Sequence, residues 1–289
     1  MRVSRRSLLL AGGAAAVLGT GGWAFNDSHP TVLPRLLGGC HGVDAPAAGA
    51  VVTRGRLPSR AMGGDVGYAL ATPPGHPGPM PVVVALHGRG GSADAVMAMG
   101  FHEFVAAAVT AGRCAPFAVA AVDGGDSTYW HRRASGVDPM TMVLDEFVPM
   151  LAARGLGGSR ASTAVLGWSM GGYGALLAGE TAPEVFGAVV ATSPAFWETY
   201  SAAAGAHDDT FDGEADWRAH DVAGHVALLE GMPVRFDCGD LDPFAPVVRR
   251  LQAKLPGSAG GISPGCHDDG FWRSVAAEQV SFLAAHFAP

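Results

Sequence analysis

The sequence predicts an α/β fold with a mostly parallel central sheet flanked by helices. Three observations carry this. From residue 50 onward, strand-like and helix-like stretches alternate. Residues 81–86, Pro-Val-Val-Val-Ala-Leu, form an unbroken apolar run, as expected of a strand buried on both faces. Finally, Gly167-Trp168-Ser169-Met170-Gly171 lies between an apolar run, Thr163-Ala164-Val165-Leu166, and a small-residue helix pattern from Gly172 to Gly179.

Ser4-Arg5-Arg6-Ser7-Leu8-Leu9-Leu10 sets paired arginines directly before an apolar run that ends near Leu18. This marks residues 1–24 as a twin-arginine-type export signal, with Gly22-Trp23-Ala24 as the nearest small-residue cleavage point. The run is well short of the ~20 apolar residues that span a bilayer. Membrane contact is therefore expected only through this segment. Leu37-Gly38-Gly39-Cys40 faintly resembles a lipid-attachment site, but a polar, proline-containing stretch separates it from the apolar run. Residues 25–49 read as irregular and residues 50–289 as one α/β domain.

Within that domain, residues 51–56 and 66–71 read as an opening pair of strands, and the proline-rich stretch 73–79 as a loop. Helices are predicted over 93–111, 140–154 and 274–286, and further strands over 116–122, 188–192, 233–238 and 260–263. Residues 197–231 interrupt the alternation and carry Asp208, Asp209, Asp212, Glu214 and Asp216. Such an insertion is expected to lie over the mouth of the site as a small cap.

The formal charge is −7, and removing residues 1–24, with three arginines and no acids, makes it −7 − 3 = −10. Beyond the first few residues there is no basic block, so nothing in the sequence points to a nucleic-acid partner. The histidines are scattered and no CxxC pair exists, so no metal and no cofactor is expected. The four cysteines, Cys40, Cys114, Cys238 and Cys266, allow three pairings in an oxidising compartment. The expected bond joins Cys238 to Cys266, since both fall at the ends of late strands.

A serine at a strand-to-helix turn sits in a sharp bend with its hydroxyl exposed, behind which a helix N-terminus favours an oxyanion. Ser169 is thus the candidate nucleophile. It needs a base, and the base needs a carboxylate to fix its tautomer. Both should follow late strands, acid before histidine. Asp242 is the expected acid, with Asp240 as the alternative, and His267 is the expected base. The backbone N–H groups of Met170 and Arg89 are the expected oxyanion donors, the second from the glycine-rich loop His87-Gly88-Arg89-Gly90-Gly91. His87 reads as a structural residue of that loop. Trp130, Phe196, Trp197, Phe271 and Trp272, with Phe101, Tyr129 and Phe244, lie in or beside loops that should surround the site and offer an apolar pocket.

With these residues the chain resembles the α/β-hydrolase superfamily, and within it the putative-esterase family that holds esterase D-like enzymes and mycobacterial mycolyltransferases. The likeness runs from about Val51 onward. It rests on Leu86-His87-Gly88, Asp123-Gly124-Gly125 with Tyr129-Trp130, Gly167 to Gly172, Ser193-Pro194-Ala195, Gly239 to Phe244, and Gly265-Cys266-His267 with Phe271-Trp272. It implies a Ser169–Asp242–His267 triad and an Arg89/Met170 oxyanion hole. The mycolyltransferases typically have Asp-Gly where this chain has His87-Gly88. The expected function is an exported serine esterase acting on a small-molecule, lipid or sugar ester. The alternatives are an acyltransferase to a sugar or lipid alcohol, and a non-catalytic cell-wall or binding protein on the same scaffold.

Overall fold

Eight strands form one sheet in the order β1-β2-β4-β3-β5-β6-β7-β8: β1 (Val51–Ser59), β2 (Gly64–Thr72), β3 (Val82–Leu86), β4 (Ala118–Val122), β5 (Thr163–Trp168), β6 (Val189–Thr192), β7 (Val234–Gly239) and β8 (Ala259–Ser263). The computed structural model describes Cys40 and residues 42–287, so the export signal assigned to residues 1–24 lies outside the described residues. β1 and β2 form an antiparallel hairpin, β2 runs antiparallel to β4, and the remaining pairs are parallel. This is the mostly parallel, helix-flanked sheet of the α/β-hydrolase fold.

The unbroken apolar run of β3 has a simple cause. Val82, Val84 and Leu86 enter one core while Val83 and Ala85 enter the other, because side chains alternate across the sheet. The first core lies beneath helices Val148–Ala153, Met170–Thr181 and Ala245–Lys254; the second lies beneath Ala93–Met99, Phe101–Thr110 and Ala276–Phe287.

Two predicted helices differ in detail. The stretch 93–111 is two helices that meet at Gly100, whose φ of 83° ends the first and starts the second. In 140–154 the middle turns, Met142–Phe147, are π-helical. Pro149 follows, and its ring would clash with the carbonyl four residues back in a regular helix, which widening the helix relieves. Among the described residues, no helix is long and apolar enough to cross a membrane.

Residues 197–231 form short helices, Tyr200–Ala206, Glu214–Ala219 and Val222–His225, then a 3₁₀ turn, Val226–Leu229. Phe211, Val222, Val226 and Leu229 are buried in the first core, so the cap is rooted in the body. Its acids find partners there. Asp209 pairs with Arg89 at 3.1 Å and Asp212 with Arg133 at 3.1 Å.

The expected Cys238–Cys266 bond is corrected: Cys266 is bonded to Cys40, and Cys114 and Cys238 are free thiols. Strand alternation explains it. Cys238 pairs in register with Ile262 and turns its side chain into the core, whereas Cys266 lies on the loop beyond β8. The N-terminal segment passes this loop, with Gly42 packed on the backbone of Gly270. The lipid-attachment reading of Cys40 needs the same sulfur atom that the disulfide uses.

Peptide mapping without reductant should recover Cys40 joined to Cys266. The bond closes a separation of 226 residues. Cys40→Ser should therefore destabilise by up to about 5 kcal/mol in the chain-entropy view.

Glu180, near the end of helix Met170–Thr181, is buried, and neither carboxyl oxygen has a partner among the described residues. Burial first, then the charge of Asp221, push its carboxyl up to about 9. Folding therefore keeps Glu180 protonated where the unfolded chain ionises it. Its contribution to stability is intact below the ordinary value of 4.5 and is lost as pH rises towards 9. Glu180→Gln should raise the melting temperature at pH 8 by several degrees and leave it nearly unchanged at pH 4.5, as differential scanning calorimetry would read.

Candidate active site

Ser169 follows β5 and precedes the helix Met170–Thr181, with φ 56° and ψ −120°. A non-glycine residue is strained there, and surrounding contacts must hold it. They do so through the backbone: Ser169 N–H donates to Thr192 O at 3.0 Å, and Ala195 N–H and Tyr173 N–H donate to Ser169 O at 3.1 Å. Glycines permit the approach. A Cβ on Gly167 would strike the Gly171 backbone, one on Gly171 would strike Leu86 and His87, and one on Gly172 would strike Thr192.

His267 sits on the loop between β8 and helix Asp269–Ser274, whose N-cap Asp268 accepts from Phe271 N–H at 3.0 Å. Its Nε2 lies 2.9 Å from Ser169 Oγ, and its Nδ1 lies 2.8 Å from Asp242 Oδ2. An ionised carboxylate only accepts, so Nδ1 carries the proton and Nε2 faces Ser169 as the acceptor. The other Asp242 oxygen accepts Phe244 N–H at 2.8 Å. Burial pushes the Asp242 carboxyl up. The His267 charge outweighs it, together with hydrogen bonds from His267, Phe244 N–H and the Ser193 hydroxyl, and the carboxyl stays below its ordinary range. Asp240 is exposed and does something else. Its Oδ1 accepts Gly265 N–H at 3.0 Å, pinning the acid loop to the histidine loop.

Ser169, His267 and Asp242 thus form an uninterrupted hydrogen-bond chain, and the sequence comparison names the family. Residues 59–254 match the family model described as Putative esterase. The chain belongs to that family. Membership makes it a serine hydrolase of the carboxylesterase type. Among solved structures it is similar to a ferulic acid esterase, with TM-score 0.71 and 20% identity, covering 82% of this chain and 99% of that one. It is also similar to an S-formylglutathione hydrolase from Agrobacterium tumefaciens, with TM-score 0.65 and 19% identity over 86% and 100% of the two chains. A third is the fluorophosphonate-binding serine hydrolase FphF of Staphylococcus aureus, with TM-score 0.64 and 16% identity over 81% and 98%. At these identities the likeness is one of fold. No curated protein matches the chain.

Two clefts meet at Ser169 and His267 of this esterase. One, of about 410 Å³, runs along the loop 87–91 and is closed by Trp168, Met99 and Trp272. The other, of about 670 Å³, opens under the cap between Tyr129, Phe196, Trp197, Thr199, His207, Phe244 and Val247. In the loop 87–91, Gly90 and Gly91 spend their N–H groups on Asp126 O and Gly88 O. Among the described residues, the N–H groups of Arg89 and Met170 donate to no backbone carbonyl. His87 is buried, and its Nε2 accepts Gly124 N–H at 2.9 Å while Nδ1–H donates to Gly88 O. Burial lowers its basicity, leaving a neutral strut.

Of the expected pocket aromatics, Phe196, Trp197 and Trp272 line the clefts and Trp130 and Phe271 do not. Trp130 is fully buried on Gly124 and Gly174, with Nε1–H donating to His87 O at 3.2 Å. Phe271 is fully buried against Gly265. Both fill space vacated by glycines, which loop position alone does not reveal. Phe101 is likewise core, edge-on to Trp168. Tyr129 and Phe244 do line the cleft. Ser193, quoted only as part of a motif in the sequence, proves to be buried and to accept Trp272 Nε1–H at 3.0 Å.

His131, Asp216 and His220 bring ligand-type atoms within 4.8 Å of one another where the cap meets the body. The two imidazoles stack, centres 4.3 Å apart and planes 23° apart. A metal must lie in the plane of each imidazole it binds, about 2.1 Å from nitrogen. Rings stacked this way share no such point, so the trio serves as packing.

The geometry separates the two acids. Asp242→Asn should lower kcat on the order of 10⁴-fold by presenting the wrong histidine tautomer, the scale seen in a serine protease triad. Asp240→Asn should cost far less, and steady-state ester hydrolysis compares them.

Proposed function

We propose that this protein is an exported esterase that cleaves carboxylic esters through an acyl-enzyme on Ser169. The single observation that carries the reading is the unbroken hydrogen-bond chain from Ser169 Oγ through His267 to Asp242. In the first step Ser169 Oγ attacks the ester carbonyl carbon while its proton passes to His267 Nε2. Asp242 stabilises the imidazolium so formed. The developing oxyanion faces the N–H groups of Arg89 and Met170, which no backbone carbonyl among the described residues occupies. His267 then protonates the leaving alcohol as the carbonyl re-forms. Water, deprotonated by His267, attacks the acyl-enzyme and frees the acid and Ser169.

The larger cleft supports an apolar or flat aromatic acyl group, held by Tyr129, Trp197 and Phe244. This agrees with the ferulic acid esterases among the structural neighbours, one of them in complex with ferulic acid. Export is supported by the arginine pair at Arg5-Arg6 and by the disulfide, which belongs to an oxidising compartment.

A fluorophosphonate probe should label the wild-type protein on Ser169 and leave Ser169→Ala untouched. Nitrophenyl esters of increasing chain length, with methyl ferulate beside them, should show kcat/KM rising with apolar acyl size. Trp197→Ala should flatten that rise. An excess of sugar or lipid alcohol that diverts product from free acid to a new ester would instead favour acyl transfer.

A further inference from the structure

The helix Tyr200–Ala206 walls the larger cleft from the cap side, and little packing holds it. Ala202, Gly205, Ala206 and the following His207 line the cleft. Within the helix only Ala203 is fully buried, and Tyr200 is half-buried. One buried alanine is a weak anchor, on the scale of a single methyl group. The end of this helix is fixed by polar contacts instead. Just beyond it, Asp209 and Asp212 meet two arginines of the body.

These contacts close on themselves. Arg133 Nη2–H donates to Asp209 O at 3.0 Å, and the Asp209 carboxylate accepts from Arg89 Nη2–H at 3.1 Å. Arg89 Nε–H donates to Ser127 Oγ at 3.1 Å, and Ser127 O accepts Arg133 Nη1–H at 2.8 Å, which completes the circuit. Three segments are joined by it: the loop 87–91, the loop leading into Tyr129, and the cap. Arg133 also grips Asp212 with Nε–H and Nη2–H, each at 3.1 Å, and Asp212 Oδ2 accepts Ala134 N–H at 2.6 Å. The Arg133 side chain is only 11% exposed, so its charge-assisted bonds are largely shielded from water.

The circuit fixes the corner where two walls of the cleft meet. Tyr129, two residues after Ser127, packs on Trp197 of the cap with centres 5.6 Å apart, and both line the cleft. Phe211, inside the clamped segment 209–212, packs on Tyr129 with centres 6.0 Å apart. The backbone of the loop 87–91 has holdfasts of its own. Gly90 N–H donates to Asp126 O, Gly91 N–H to Gly88 O, and Gly124 N–H to the His87 ring. Breaking the circuit therefore frees the cap and leaves that loop in place.

We propose that Arg133 is a positioning residue that sets acyl specificity: through Asp209, Ser127, Arg89 and Asp212 it holds the cap as a fixed wall of the larger cleft. Esters with a large, flat acyl group are then favoured over acetates. The proposal rests on the reading that this cleft takes the acyl group. Arg133 lines neither cleft and touches no reacting atom. A wall already in place spares a large acyl group the cost of ordering the cap, whereas an acetyl group draws little from the cap.

The test compares 4-nitrophenyl ferulate with 4-nitrophenyl acetate, which share a leaving group, on wild type, Arg133→Met and Asp212→Asn. Methionine keeps an apolar stem and removes every donor. In Arg133→Met the ratio of kcat/KM for ferulate over acetate should fall by ~10-fold or more, the scale of one hydrogen bond to a charged group. The fall should come through a raised KM for the ferulate, with acetate turnover within about twofold of wild type. Asp212→Asn should lower the ratio by a smaller factor. Equal losses on the two esters, or an unchanged ratio in Arg133→Met, would overturn the proposal, since Arg133 would then serve the fold alone. Should Arg133→Met not fold, Asp212→Asn decides: an unchanged ratio overturns it. A wild type that reacts with a fluorophosphonate yet prefers the acetate would defeat the acyl-cleft reading. One inert to the probe at Ser169 would defeat the triad reading, and the proposal falls with either.

Discussion

The site depends on one close approach: three backbone segments meet at the elbow with no side chain between them. The end of β3 at Leu86–His87, the start of helix Met170–Thr181 and the end of β6 at Thr192–Pro194 pack on Gly167, Gly171 and Gly172. A methyl group at any of these positions would hit a carbonyl or a Cα. The contact fixes Ser169 between the loop that carries Arg89 and the loop that carries Ser193. Everything chemical is measured from that point. The helix N-terminus sits behind Ser169, where its free N–H groups and partial positive charge favour an oxyanion.

The other two triad candidates come from the loops after β7 and β8, which are neighbours in the sheet. Polar contacts hold these loops to each other. Asp240 Oδ1 accepts Gly265 N–H, Leu241 N–H donates to Gly265 O, and Gly239 lies against Gly265 because neither has a Cβ. A disulfide between them would be redundant. The bond goes instead from Cys266 to Cys40, next to His267, and fastens the N-terminal segment beneath the histidine loop. The cap is held in a similar way on the opposite rim. Arg89 donates Nε–H to Ser127 Oγ and Nη2–H to both oxygens of Asp209, so a residue of the 87–91 loop is also the cap's anchor.

Much of this was legible in the sequence because local physics dictated it. The apolar runs of β3, β4 and β5 could only be buried strands. The glycine–serine pattern could only serve a tight strand-to-helix turn, and the chain order of Asp242 and His267 followed the sheet. What was not legible depended on distant neighbours. Cys238 and Cys266 end adjacent strands, yet strand parity turns Cys238 into the core, and no local pattern says that residue 40 returns to the loop. Trp130 and Phe271 sit in site-proximal loops, yet each is drawn onto a glycine of another element. The break at Gly100 was hidden because an apolar helical pattern continues across it, and only the positive φ ends the helix.

Backbone strain shows how the fold spends its stability. Among the described residues, four non-glycines have positive φ: Tyr129, Trp130, Ser169 and Ser193. Each costs about 1–3 kcal/mol, a large share of the 5–15 kcal/mol that holds a domain together. Such residues scattered over the surface would indicate loose turns, but all four converge on the site. Tyr129 walls the larger cleft, and Trp130 supports the carbonyl of His87 at the head of the 87–91 loop. Ser169 presents its hydroxyl to His267, and Ser193 presents its own to the Trp272 indole N–H. All four side chains do something that glycine, the unstrained choice, could not do. The surrounding packing must hold them there. Trp130 is clamped between Gly124 and Gly174, and the Ser169 and Ser193 backbones are tied to the ends of β6 and β7. The large alternating core of the parallel sheet is therefore what allows four strained residues to be kept in place around one hydroxyl group.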